Sequence, residues 1–503
     1  MKKSLICICL IVLMLVLVSC KVNSDQEHID NPPVVIPDPD IKDPNDADPD
    51  INNPIDPDPK DPIEVNKRFV VYINIDGFAK YYYDEALVKG LVPNLSAYIN
   101  DGIFFDKLYN LLPSITNPVQ NMIISGADSS ATHNVYRYFD RTNHIVVQQQ
   151  RQNDAETIYD VVKKEKITSA TIRHFLAEEI FSPTNPNHLY IREPHGTVSD
   201  AIVRFDQAVK LVSGESFMNG SVSMKVDDIP QFLSIYVDDL DALGHNESSY
   251  YGYTKAKTET ERMSNVLHRL NIIDSKIKEL VDVYKAKGIY NDTVFLITTD
   301  HGMTPFGANS DGITSLTNKY SKTKWPALKD KLKAIDSNLI FEYLGPGEKP
   351  KESTTLVGFG AGLNMPISFM NPRVPIIELE NIALELEKEV YIEKVFTRNE
   401  LIQMGFWRNA NVDLLVIPSE AYHFHGRSNV NGIYAVRGQH DSYLDSSRNI
   451  FGLVFGGQVK KIGILNEETY VHSFGVMIAD ALNVILPHAN ALKVDFLIED
   501  ETS

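Results

Sequence analysis

At 503 residues, with 48 lysines and arginines against 67 aspartates and glutamates, the chain carries a formal charge of −19 and is 43% hydrophobic. That length suits one large domain with an insertion, and the acidic balance argues against non-specific binding to nucleic acid, for which no basic patch is evident. The three cysteines, Cys7, Cys9 and Cys20, fall in the first twenty residues, which excludes disulfides and a cysteine nucleophile from everything downstream.

Residues 1–19 read as a signal peptide. Lys2 and Lys3 precede an apolar stretch from Leu5 to Val18, too short for a comfortable membrane span. The ending Leu17-Val18-Ser19-Cys20 resembles a bacterial lipobox, which implies lipid on Cys20 and an extracytoplasmic chain held at the cell membrane or surface. Lys21 stands where an aspartate would signal inner-membrane retention. Residues 20–67 read as a linker. From Lys21 to Lys67 there are 13 acidic residues, 4 basic ones and 10 of the 26 prolines. Repelling charge, repeated proline and few apolar residues predict an extended spacer, able to reach on the order of 140 Å. The remaining stretch, 68–503, keeps a net charge of −12 and is expected to form one catalytic domain.

In that domain apolar runs repeatedly end in acidic or imidazole side chains. Phe69–Ile75 leads into Asp76, and a helix is expected from Pro93 to Asn100. Next comes Pro113-Ser114-Ile115-Thr116-Asn117-Pro118, and then a strand at Ile167–Ile172. Phe232–Val237 leads towards Asp241 and His245. A long helix from Thr258 to Lys287 carries Val266, Leu270, Ile273, Ile277 and Leu280 at helical spacing, the mark of a core-facing stripe. Val294–Thr299 runs directly into Asp300-His301. Residues 307–412, looser and rich in Gly, Pro and Lys, suggest a cap. Further strands are expected at Leu414–Ile417 and Ile450–Phe455, with His440 between them.

Short apolar runs ending in Asp and His suit buried parallel strands whose carboxyl ends carry the chemistry. Asp76, Asp241, His245, Asp300, His301 and His440 are therefore six candidate metal ligands. Three carboxylates and three imidazoles near a hydroxyl suit two ions side by side, zinc before manganese, since magnesium prefers oxygen-only shells.

Taken in order, five blocks resemble the alkaline phosphatase superfamily and, within it, the nucleotide pyrophosphatase/phosphodiesterase branch. They are Asn74-Ile75-Asp76-Gly77-Phe78; Pro113 to Pro118 with Ser125-Gly126 and His133; Asp241 to His245; Thr299 to Met303; and Gly438-Gln439-His440-Asp441. The resemblance implies an α/β, three-layer sandwich with a central, mostly parallel sheet and an inserted cap. It implies one metal on Asp241, His245 and His440. The other would take Asp76, Asp300, His301 and the oxygen of Thr116, the catalytic nucleophile that becomes a phosphothreonine. The expected activity is phosphodiester or nucleotide-pyrophosphate hydrolysis on a phosphate-ester substrate. Metal coordination would favour the alkoxide of an otherwise weak threonine nucleophile.

Several positions stay open at this level. Ser114 is the competing hydroxyl, although Thr116 is in register with the family's Thr-x-Pro. The branch holds a phosphate oxygen with an asparagine; a gapless count from Thr116 places Arg137 there, with Asn134 close by. An arginine brings a full charge and a forked donor suited to a dianionic monoester, so a phosphomonoesterase is the alternative activity. A surface-binding lipoprotein on a retired hydrolase scaffold is the non-enzymatic alternative. His423 and His425 read as exposed loop histidines, and His133 as structural. Phe359, Phe406 and Trp407 are the cap aromatics able to stack on a substrate ring, though such residues more often belong to a core.

Overall fold

The structure, a computed structural model, describes residues 68–246, 252–307, 322–428, 430 and 435–498, all inside the compact unit Glu64–Ser503. The signal peptide, Cys20, the linker and part of the expected cap lie outside the described residues.

The apolar runs form one eight-stranded sheet. From edge to edge its strands are Gly463–Leu465, Gly102–Phe105, Gly452–Phe455, Thr293–Thr298, Phe69–Ile75, Phe232–Val237, Ser169–Ile172 and His188–Ile191. Only Gly452–Phe455 runs antiparallel to its neighbours. Strand alternation explains the layering. Val71, Ile73 and Ile75 enter a core shared with the helices Lys80–Val88, Ala201–Ser213 and Glu259–Ala286. Val70 and Tyr72 enter the opposite core, with the helices Thr116–Ser125, Ile158–Lys164 and Ser473–Leu482. A strand buried on both faces needs apolar side chains at nearly every position, hence runs such as Phe-Val-Val-Tyr-Ile.

The long helix begins as its sequence suggests, with the Thr258 side chain accepting the Glu261 N–H as an N-cap. Val266, Leu270, Ile273, Ile277 and Leu280 are all fully buried, each contributing about 1.5–3 kcal/mol. Among them the helix also buries Arg269, whose guanidinium grips Asp200 and Asp239. Asp239 in turn accepts the Ala201 N–H. This ion cluster ties the long helix to the segment that carries Asp241 and His245.

The cap region builds a second, five-stranded sheet in the order Phe341–Tyr343, Leu356–Gly358, Met365–Phe369, Leu414–Pro418 and Ile392–Thr397. The helices Trp325–Ile335 and Ile376–Leu386 cover it, around a core that includes Leu328, Leu356, Ile367, Leu379 and Val416. The strand expected at Leu414–Ile417 belongs here and not to the central sheet. Its apolar run fits either sheet, and pairing with Met365–Phe369 and Ile392–Thr397 decides the matter.

Candidate metal centre

Asp76 and Asp300 stand just past the carboxyl ends of neighbouring parallel strands, in register at Asn74 and Thr298. The chain turns sharply after Asp76 at Gly77, whose φ is +73° and where a Cβ would lie 2.8 Å from the Asp241 Cα. Only glycine lets these two segments approach so closely. The next strand over, Phe232–Val237, runs into the short helix Asp239–His245. There Asp241 and His245 are four residues apart, one turn, and so share a face. His440 arrives from the strand Arg437–Gln439, paired antiparallel with Thr304–Phe306.

Four separate parts of the chain thereby bring the six side chains into two triads, Asp76–Asp300–His301 and Asp241–His245–His440. Within each triad the prospective ligand atoms lie within 4.8 Å of one another. His301 Nε2 is 3.3 Å from Asp76 Oδ1 and 3.7 Å from Asp300 Oδ2. His245 Nε2 is 3.2 Å and His440 Nε2 3.9 Å from Asp241 Oδ1. The His301 and His440 rings stack at 3.7 Å, so the triads are adjacent.

Two features of the donor set suit cations. Each imidazole spends Nδ1 on a backbone carbonyl: His301 on Gly302 at 2.9 Å, His440 on Ser114 at 2.9 Å and His245 on Gly438 at 3.1 Å. That leaves every Nε2 lone pair turned towards the carboxylates, the orientation a metal-bound histidine needs. Conversely, Asp76 Oδ1, Asp300 Oδ2 and Asp241 Oδ1 are buried with no hydrogen-bond partner among the described residues. Three orphaned carboxylate oxygens at one place are costly unless a positive ion meets them. Burial, and then the charges of Asp300 and Asp241, push the Asp76 carboxyl well above its usual range. Burial and the His301 ring push His440 well below the usual imidazole value. Burial also works against ionisation of Asp241, but His245, His301 and His440 outweigh it and hold that carboxyl below its usual range.

Thr116 opens the helix Thr116–Ser125, and its hydroxyl stands 3.1 Å from His301 Nε2. With Nδ1 occupied, Nε2 is the acceptor and the hydroxyl the donor. Among the described residues no side chain caps this helix, so the N–H groups of Thr116 and Asn117 are suited to an anion in front of Thr116, Pro118 having none to offer. Ser114 is placed differently. Its side chain is fully buried, bonded to Asn110 Nδ2 at 2.6 Å and Ser447 Oγ at 3.1 Å, while its carbonyl orients His440. It shapes the loop and offers no hydroxyl to a substrate.

The two candidates for phosphate binding also separate. The Asn134 amide donates to the Gln150 and Gln152 carbonyls at 3.0 and 2.8 Å, and its Oδ1 accepts the Tyr136 N–H. Both amide hydrogens are thus spent on the segment that follows the hairpin. Arg137 begins the hairpin strand Arg137–Asp140, donating through Nη1 to the Gly360 carbonyl at 2.6 Å and through Nε to Gln148 at 3.0 Å. It therefore bridges the hairpin to the cap. His423, expected on an exposed loop, is instead fully buried against the Phe306 ring. Phe359 and Phe406 are buried in an apolar cluster, and Trp407 stacks on His133 at 5.3 Å. None of the three presents an open platform.

Two further contributors were not evident from the sequence. Thr299 Oγ1 accepts the Phe78 N–H at 3.0 Å and donates to Asp300 Oδ1 at 3.1 Å. Tyr236 donates its phenolic hydroxyl to Asp76 Oδ2. Thr299 precedes the Asp-His pair and so carried a local signal; Tyr236 lies 160 residues from its partner and reads as an ordinary strand residue.

The family model for type I phosphodiesterase / nucleotide pyrophosphatase matches residues 70–442. A curated relative, the bis(5'-adenosyl)-triphosphatase ENPP4 of Pongo abelii, is 24% identical over 251 residues, 47% of this chain and 47% of that protein. The chain thus spans about half the length of the curated relative it matches. Among solved structures, murine ectonucleotide pyrophosphatase / phosphodiesterase 5 superposes with a TM-score of 0.56 at 13% identity, covering 84% of this chain and 97% of its own. An inactive form of the murine protein in complex with AMP and the human counterpart give the same values. At that identity the likeness speaks to the fold, the α/β architecture around a mostly parallel sheet.

Proposed function

Because the chain belongs to the type I phosphodiesterase / nucleotide pyrophosphatase family, we propose that it is a two-metal phosphoesterase acting on phosphodiesters or nucleotide pyrophosphates through a phosphothreonine. One observation carries the reading: two Asp/His triads with orphaned carboxylate oxygens lie beside a threonine hydroxyl. Asp241, His245 and His440 would hold one ion; Asp76, Asp300, His301 and Thr116 Oγ1 would hold the other, zinc fitting this nitrogen and oxygen set before manganese. The chemistry an ion pair supplies there is Lewis acidity towards phosphoryl oxygens and a lowered pKa of the attacking hydroxyl.

The protein's own groups account for the rest. Thr116 Oγ1 attacks phosphorus while the uncapped helix start faces the non-bridging oxygens. The Oγ1–P bond forms as the bond to the leaving alcohol or nucleotide breaks. Water then attacks the same phosphorus as the P–Oγ1 bond breaks; one water proton returns to Oγ1 and the phosphate product leaves. The crevice at the carboxyl ends of the parallel strands is where open α/β sheets hold their ligands. The lipid on Cys20 and the 20–67 spacer would hold the enzyme outside the membrane, towards extracellular phosphate esters. The names of its relatives, a bis(5'-adenosyl)-triphosphatase and a pyrophosphatase / phosphodiesterase bound to AMP, favour nucleotides with bridged phosphates.

The test is bound-metal analysis of purified protein, with turnover of nitrophenyl mono- and diesters. About two divalent ions per chain, diester turnover and its loss with chelator are expected. Folded protein that holds no metal would end the reading.

A further inference from the structure

Resting on that two-metal reading, we propose that Tyr236 is a positioning residue that locks Asp76 into offering a single oxygen, Oδ1, to the buried ion. The two oxygens of Asp76 have different fates. Oδ2 takes the phenolic hydrogen bond, whereas Oδ1 is buried without a partner and faces His301 Nε2 at 3.3 Å. Asp300 is divided in the same way: Oδ1 accepts from Gly77 N, Thr299 Oγ1 and His301 N, and Oδ2 is orphaned. Asp300 is held by its neighbours Thr299 and His301 and by one backbone N–H, that of Gly77, from the adjacent loop. Asp76 depends on a side chain from the neighbouring strand.

The strand geometry makes that reach possible. Tyr236 pairs with Asn74, two residues before Asp76 in a parallel register. Asn74 and Asp76 therefore project on one side, and a phenol is long enough to cross the intervening step. Two rings fix the direction of the phenol: His174 and Phe175 meet it edge-on at 5.6 and 5.4 Å. A packed aromatic cannot swing aside when the carboxylate reorients, so the hydrogen bond restricts Asp76 to one-oxygen coordination. Without it, Asp76 is free to rotate or to approach the ion with both oxygens, and the shared geometry with Asp300 and His301 loosens.

Tyr236→Phe removes only the hydroxyl and keeps the ring between its two aromatic neighbours. Wild type, Tyr236→Phe and His174→Phe would be loaded with zinc and titrated against a chromophoric chelator, with unfolding midpoints measured in parallel. We expect the Tyr236→Phe variant, folded like wild type, to bind one of its two ions about 10- to 100-fold more weakly and the other unchanged. His174→Phe, which keeps an aromatic ring edge-on to the phenol and spares the hydrogen bond, should keep both affinities. Unchanged affinities in Tyr236→Phe, while wild type binds two ions, would overturn the proposal and leave the two-metal reading intact. Equal weakening in His174→Phe would also overturn it, assigning the effect to packing. Wild type that binds no ion would remove the premise itself.

Discussion

The two triads lie side by side yet are built in opposite ways. Asp76, Asp300 and His301 stand on adjacent strand ends with side chains at most 3% exposed, whereas Asp241 and His245 sit on a short helix, each about a fifth exposed. In the first triad two carboxylates, each with one oxygen tied by protein donors and one orphaned, share one imidazole; in the second a single carboxylate, its Oδ1 also orphaned, faces two imidazoles. A carboxylate pair without water is a liability until a cation arrives, and that cost is tolerable only where strands fix the backbone. A partly solvated aspartate with two imidazoles asks less of its surroundings. On the two-metal reading, the buried triad would hold its ion through pre-set geometry and the more exposed one through nitrogen ligands.

Chelation is the strongest way to break this picture. Stripping the ions should abolish turnover and lower the unfolding free energy by about 4 kcal/mol for an ion present at a thousand times its Kd. The ion of the more exposed triad should leave first. His245→Ala should erase only that early step in a titration followed by metal release; loss of both ions together would mean that the triads act as one. Next in size, Thr116→Ala should keep the metals and cost at least about a hundredfold in turnover, placing the nucleophile with the buried triad. Ser114→Ala, which loses hydrogen bonds inside the loop, should instead show its main effect in thermal stability.

Arg137→Ala asks which charges face the substrate. If the guanidinium reaches the non-bridging oxygens beyond its bonds to Gly360 and Gln148, monoester hydrolysis should fall roughly ten- to a hundredfold more than diester hydrolysis, the worth of about 1.5–3 kcal/mol. Equal losses in steady-state kinetics would confine Arg137 to bridging the cap. The smallest effect concerns His174, fully buried behind Tyr236 with both ring nitrogens unpartnered. Burial pushes its pKa down to about 3. The unfolded chain takes that proton near pH 6.5, so stability is complete above that value and lost as pH falls towards 3. Between pH 7 and pH 5 the loss should be about 1–2 kcal/mol, and denaturant midpoints of His174→Phe should lack that share of the decline.

Much of the centre is legible in the sequence alone because its chemistry is written at strand ends. An apolar run that stops at Asp76, or at Asp300-His301, reports both a buried strand and the polar group the fold places at the sheet's carboxyl edge. The triads assemble from those segments, and the Thr116 hydroxyl lies beside His301. The long helix is equally plain, since Val266 to Leu280 repeat at helical spacing. Other residues carry no such mark. Asn134 and Arg137 are both reasonable phosphate donors until the hairpin shows where their hydrogen bonds go. His423 reads as exposed because a histidine in a polar stretch usually is.

Local pattern is thus enough to mark six side chains that the fold brings together and the kind of sheet that carries them, because composition and periodicity need no fold to be read. It is silent on three matters that packing settles: Leu414–Pro418 joins the second sheet, Ser114 orients His440, and Tyr236 holds Asp76. Each is a choice of partner across a large separation in sequence, made by strand register and close contact, to which no local pattern is sensitive.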